Sequence, residues 1–190
     1  MTDIYHSALK DPLKIDHELE RYESKGSLVF YHDVVNGYSP LYNGVDAIYS
    51  EPSWRAGYLK FQVRAGTVGA SFGVYLQGIL DIVQTLKVPS YLLIGKHMVS
   101  MLQPPKVVNT KLHGYDCLLG IWNADSISEG GFNTDIIDYL ADKYARILDF
   151  SCGYGNMARA LRARGKTFVC SDINKKCVYY VAKEIMRYNG

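Results

Sequence analysis

The stretch Ile147-Leu148-Asp149-Phe150-Ser151-Cys152-Gly153-Tyr154-Gly155-Asn156-Met157-Ala158 decides the fold. An apolar run ends in an acid, passes through a turn with two glycines and enters residues with helical spacing. That order predicts a strand, a tight loop and a helix N-terminus. The N–H groups of such a loop, and the positive end of the helix dipole, face whatever sits above the strand's C-terminal end. Glycine permits dihedrals that a side chain forbids and lets a ligand approach the backbone closely. Further on, Phe168-Val169-Cys170-Ser171-Asp172 is a second short apolar run ending in an acid. A carboxylate there can accept both hydroxyls of a ribose. Strand, glycine turn, helix, strand and acid together describe a nucleoside-binding half-site. Taken singly, the glycines could serve only close packing and the acid only a helix cap. The loop lacks the third glycine of a dinucleotide fingerprint and carries no Gly-Lys-Ser/Thr, so an adenosine-type ligand without a triphosphate fits it better.

The 190 residues suffice for one domain with a real core. With 48% hydrophobic and 21% charged residues, the composition is that of a soluble globular protein. The net charge of +2 means that nucleic-acid binding would need a local basic patch. The sixteen tyrosines suit semi-buried positions with a wet hydroxyl, or surfaces that stack on bases. Met1 to Asp16 is polar, which predicts no signal peptide, and no apolar run is long enough to span a bilayer. Cys117, Cys152, Cys170 and Cys177 have no C-x-x-C spacing, which argues against a zinc site or disulfide framework and for a reducing cytoplasm.

Along the chain, residues 1–26 read as a charged N-terminal arm with a short helix near Asp16 to Tyr22. Residues 27–190 read as a single domain, with a substrate half over 27–124 and a cofactor half over 132–190. Strands are expected at 27–31, 45–49, 91–95, 147–150 and 168–172. The spacing of Phe72, Tyr75, Leu76, Ile79, Leu80, Val83 and Leu86 predicts a helix over about 68–87, which Pro89 ends. A short helix is expected at 97–102. Val107–Leu112 and Tyr115–Trp122 read as a hairpin turning at His113-Gly114. Thr134 can cap a helix that buries Ile137, Leu140, Ala141 and Tyr144. Asn174 caps the last helix. Strands alternating with helices, then a late hairpin, give an α/β domain with a mostly parallel sheet and one antiparallel edge.

The run Val45-Asp46-Ala47-Ile48-Tyr49 stops abruptly at Ser50-Glu51-Pro52-Ser53-Trp54. A polar group, a proline and an aromatic at a strand end lie where α/β sheets hold ligands. Residues 55–67 then read as a polar loop carrying Arg55, Lys60 and Arg64 between Trp54, Tyr58 and Phe61. Interleaved cations and aromatics suit a nucleic-acid strand, with Arg55, Tyr58 and Lys60 as substrate-binding candidates, and equally suit a solvated loop.

Leu148 to Asn156 resembles the S-adenosylmethionine-binding motif of class I methyltransferases, and Asp172 is similar to their ribose-binding acid. Glu51-Pro52-Ser53-Trp54 is similar to the Asp/Asn/Ser-Pro-Pro-aromatic motif of amino-methyltransferases. The catalytic motif precedes the cofactor motif, which resembles the circularly permuted order of one DNA amino-methyltransferase class. The resemblance implies a Rossmann-like methyltransferase fold and S-adenosylmethionine held by Asp149, Phe150, Ser151, Cys152, Gly153, Tyr154, Gly155, Asn156, Asp172 and Ile173. It implies methyl transfer by Glu51, Pro52, Ser53 and Trp54 to an exocyclic base amine, N6 of adenine in DNA before RNA. Two positions depart from the family pattern. Glu51 stands where it has Asp, Asn or Ser, and Ser53 replaces its second proline, which removes a ring that would stiffen the loop. The same residues admit a second reading, a non-catalytic binding or regulatory subunit, and either reading allows a homodimer or a partner subunit.

Overall fold

The computed structural model describes residues 21–54, 60, 62–63, 65, 70–112, 115–127 and 133–186. Eight strands form one sheet: β1 (Arg21–Ser24), β2 (Ser27–Tyr31), β3 (Ala47–Ser50), β4 (Ser90–Ile94), β5 (Lys106–Leu112), β6 (Tyr115–Trp122), β7 (Arg146–Asp149) and β8 (Thr167–Asp172). Their order is β1-β2-β8-β7-β3-β4-β6-β5. The five central strands, β2 to β4 in that order, are parallel, and antiparallel pairs finish both edges. The expected hairpin is therefore one of two antiparallel edges. Its pairing runs to Leu112↔Tyr115, while His113 and Gly114 lie outside the described residues.

The second edge lies in the expected arm. Arg21–Ser24 pairs with β2, so Tyr22 is a strand residue and not the end of a helix. Tyr22 is buried and its neighbours are exposed, the alternation of an edge strand packed on one face.

Helices cover both faces: α1 (Phe72–Leu86), α2 (Lys96–Leu102), α3 (Asn133–Lys143), α4 (Asn156–Ala163) and α5 (Lys175–Tyr180). The last runs on into a wider segment, Val181–Ile185. One core joins Ala47, Tyr49, Tyr91, Leu93, Ile147 and Phe168 to the buried sides of α3, α4 and α5. The other joins Ile48, Leu92, Ile94, Leu148 and Val169 to α1, α2 and the short turns at Val34–Asn36 and Pro40–Tyr42. Successive strand residues thus feed opposite cores, which is why the central strands read as unbroken apolar runs. Ser71 caps α1, accepting from the N–H of Val74 at 3.3 Å, and Asn174 caps α5 as expected. Thr134 lies inside α3, which already includes Asn133, so it is not the cap expected for it. Lys60, Gln62, Val63 and Ala65 are helical where a loop was expected. No helix among the described residues is long and apolar enough to cross a membrane.

The path from β3 through α1 leads to β4 on one side. The path from β7 through α4 leads to β8 on the other. Parallel β3 and β7 are neighbours, so the direction reverses between them and their C-terminal ends flank a crevice.

Gly78 sets how closely α1 approaches its layer. A Cβ there would stand 1.9 Å from the carbonyl oxygen of Val34. Helix propensity alone would make Gly78→Ala stabilising by about 1 kcal/mol. The clash reverses the sign, and urea denaturation should show a net loss of about 1–3 kcal/mol. An unchanged or higher stability would mean that α1 does not pack on this turn.

Candidate active site

Three carboxylates meet at the crevice. Asp149 ends β7 and is 4% exposed. Its Oδ1 accepts the Ser50 hydroxyl at 2.9 Å and the Ser151 N–H at 3.2 Å. Ser50 is the last residue of β3, so this bond ties the strand before Glu51 to the strand before the glycine loop. Burial, and then the nearby Glu51 carboxylate, push the Asp149 carboxyl up to about 8.

Asp172 ends β8. Its Oδ2 accepts the Gly153 N–H at 2.8 Å and its Oδ1 the Asn174 N–H at 2.8 Å. Each oxygen keeps a lone pair for another donor. Burial raises this carboxyl to about 6.

The glycine loop closes over itself. Gly155 N–H donates to the Cys152 carbonyl at 2.7 Å, and Cys152 N–H to the Ser171 carbonyl at 3.1 Å. Gly155 has φ +75°, a backbone shape that favours glycine, and a Cβ on it would lie 2.5 Å from Ile185 Cδ1, which would have to shift. Gly153 has φ +48°, and a Cβ there would meet nothing within 4 Å, so the loop's outer side is open. No side chain caps α4, which leaves its first N–H groups facing the same opening.

Of the loop residues, Phe150 sends its ring into the α1-side core and Cys152 its thiol into the other. These two can meet a ligand only through the backbone. The Cys170 thiol beside it and burial both hold the Cys152 thiol up, so it is a neutral packing group. Ser151, Tyr154 and Ile173 are part-exposed and Asn156 is exposed at the opening. Tyr154 stands edge-on to Tyr180 at 5.1 Å.

Glu51, Pro52, Ser53 and Trp54 leave β3 on the other side of the crevice. Glu51 Oε1 accepts the Tyr49 hydroxyl at 2.6 Å and Asn133 Nδ2 at 2.6 Å. Tyr49 also bonds Asn133 Oδ1. Burial, and then Glu51, hold the Tyr49 phenol well above its ordinary range, so it stays a donor. Ser53 N–H donates to the Tyr75 hydroxyl at 2.9 Å. A proline at that position has no N–H to give, so the loop expected to slacken without its second proline is tied to α1 instead. Trp54, half-buried, donates from Nε1 to the Leu93 carbonyl at 3.3 Å, which holds its ring at the end of β4. Phe72, Tyr75 and His97 form an aromatic group nearby, with Phe72 5.8 Å from His97 and 6.0 Å from Tyr75.

The structure therefore brings the expected catalytic and cofactor groups to one edge. Lys60 is an exposed helical residue, while Arg55 and Tyr58 lie outside the described residues. Sequence reasoning missed Tyr49, Ser50, Tyr75 and Asn133. Tyr49 ends an apolar run and reads as strand filler, and Ser50 reads only as the start of the stop that follows it. Asn133 and Tyr75 reach the loop only through tertiary packing, and spacing carries no signal of that.

No family model matches the sequence, and no curated protein sequence matches it. Solved structures do. M1.HpyAVI, solved as a complex with SAM, aligns with a TM-score of 0.55 at 10% identity, over 83% of this chain and 98% of that one. A proposed DNA modification methylase from Thermus thermophilus gives 0.55 at 10% identity, over 82% and 92%. The fold is thus the Rossmann-like α/β fold of methyltransferases. In this chain the β3 loop precedes the glycine loop, the permuted order that the motifs predicted.

The raised Asp149 carboxyl makes stability depend on pH. Its unfolded value is near 3.8 and its folded value about 8. Between them the folded chain holds a proton that the unfolded chain has lost, so this contribution is full below about pH 4 and is lost as pH rises through 8. Asp149→Asn keeps the Oδ1 acceptor and removes the titration. Thermal unfolding of this variant should depend less on pH between 4 and 8. At pH 9 it should be more stable than wild type by a few kcal/mol, since each tenfold change in proton affinity is worth about 1.4 kcal/mol. Parallel profiles would mean that Asp149 is not buried as described.

Proposed function

We propose that the protein transfers a methyl group from S-adenosylmethionine to an exocyclic amino group of a nucleic-acid base, N6 of adenine in DNA being the first candidate. The observation that carries the reading is the meeting of two half-sites across the β3–β7 crevice. One is a glycine loop with a ribose-type acid, and the other is a Glu-Pro-Ser-Trp loop.

The donor set suits this cofactor. Asp172 has lone pairs to accept ribose hydroxyls, and the open side of Gly153 leaves the backbone approachable. Burial, and then repulsion from Glu51, raise Asp149, and a ligand with positive charge offsets that cost and favours the ionised carboxylate. S-adenosylmethionine, when bound, supplies an electrophilic methyl on a cationic sulfur.

The chain's own residues prepare the acceptor. An amine conjugated to a purine ring is a poor nucleophile because its lone pair is delocalised. Glu51 Oε2 and the Pro52 carbonyl are the acceptors that hold its two N–H bonds and localise that pair. As the new N–C bond would form, the methyl–sulfur bond would break with its electron pair left on sulfur, and the amine would shed one proton, which Glu51 or water would take. Trp54 stacks on the base, which must leave any duplex to reach it. Positioning and the negative field of the crevice provide most of the rate.

Transfer of tritiated methyl groups into duplex DNA, single-stranded DNA and RNA tests this. Incorporation should be highest in DNA, and Glu51→Ala and Trp54→Ala should each reduce it on the order of 100-fold. A wild-type chain that binds the cofactor but labels none of these polymers would instead support the non-catalytic subunit.

A further inference from the structure

Glu51 does not stand free in the crevice. Its Oε1 takes one hydrogen bond from Tyr49 and one from Asn133, both at 2.6 Å, and no described residue bonds Oε2. The two donors come from different parts of the fold. Tyr49 lies in β3, two residues before Glu51 and on the same side of the strand. Asn133 opens α3, the helix that leads into β7 and the glycine loop. Asn133 is 7% exposed and Tyr49 1% exposed, so neither donor is lost to solvent. Asn133 directs its amide to Glu51 and its carbonyl oxygen to the Tyr49 hydroxyl, whose single proton is shared between that oxygen and Glu51 Oε1. The Asn133 side chain reaches a carboxylate 82 positions earlier in the chain.

We infer that Tyr49 and Asn133 are positioning residues that hold Oε1 of Glu51, present Oε2 to the substrate amine and so fit a glutamate, rather than a shorter side chain, to this crevice. The inference rests on the methyl-transfer reading above. Geometry gives it content. A glutamate side chain has three torsions to fix, and an unheld carboxylate would spread over several rotamers. The Asn133 amide bond and the shared Tyr49 proton, both on one oxygen, leave the other with a single direction. Aspartate, one methylene shorter, cannot keep its oxygen between Tyr49 and Asn133 and also reach the same point in the crevice.

The experiment compares Asn133→Ala, Tyr49→Phe and Glu51→Asp with wild type. The probes are S-adenosylmethionine and whichever polymer wild type methylates. Each variant should lose roughly 10- to 100-fold in kcat, the value of a hydrogen bond to a charged group, with the affinities for cofactor and polymer unchanged. In a Glu51→Gln background, Asn133→Ala should cost little more, because the carboxylate it holds is already gone. Wild-type kcat in Asn133→Ala and Tyr49→Phe would overturn the inference. So would an equal further loss in the Glu51→Gln background, which marks general damage, or a more active Glu51→Asp. Crystal structures of wild type and Asn133→Ala read the clamp without activity. The first should keep Oε1 on both partners and the second should release it. If wild type transfers no methyl group, the functional reading fails, and these structures still decide the clamp: a wild-type Glu51 without either partner overturns it.

Discussion

The structure depends on placing three carboxylates at the C-terminal ends of central strands without a cation to pair with them. Among the described residues, no lysine or arginine bridges Glu51, Asp149 or Asp172, and the ion pairs lie elsewhere, as at Arg164 with Asp138 and Asp142. Hydroxyls and N–H groups do the holding: Ser50 and Ser151 on Asp149, Gly153 and Asn174 on Asp172, Tyr49 and Asn133 on Glu51. Such donors orient a carboxylate but do not cancel its charge, which is why burial and mutual repulsion lift Asp149 so far.

The two cores make this possible. Alternate residues of β3, β4, β7 and β8 anchor the sheet on both faces, so the strand ends are fixed points rather than loops. The turns that leave those ends are then pinned individually. Tyr75 holds Ser53 from α1, and Trp54 is held on β4 by its indole N–H. Tyrosine is the usual instrument. Tyr42 reaches Ser171, Tyr49 reaches Glu51 and Tyr91 reaches Tyr144, each combining a buried ring with one directed hydroxyl.

The central sheet was legible because its signal is local. Apolar runs ending in Asp149 and Asp172, with Gly153 and Gly155 in the turn after the first, carry strand, turn and helix in their own spacing, and the structure places them as read. The edge strand Arg21–Ser24 was not legible, since a charged strand with one buried tyrosine has no run to notice. Thr134 misled because it is a good capping residue, while the helix already includes Asn133 and leaves Thr134 exposed in its first turn. The Glu51 and Ser53 departures looked like losses in the sequence alone. Their partners Asn133 and Tyr75 are invisible to motif reading, because hydrogen bonds between residues 82 and 22 positions apart leave no pattern in the chain, and Tyr49, two residues from Glu51, reads only as the end of an apolar run.

The most direct test of the cofactor half-site is calorimetric titration of the purified chain with S-adenosylmethionine, beside Asp172→Ala. The account predicts binding with a dissociation constant on the order of micromolar for wild type and none measurable for the variant, since the ribose acceptor is then gone. Absence of binding by a folded wild-type chain, or equal binding by both, would contradict it and leave the glycine turn as a packing feature.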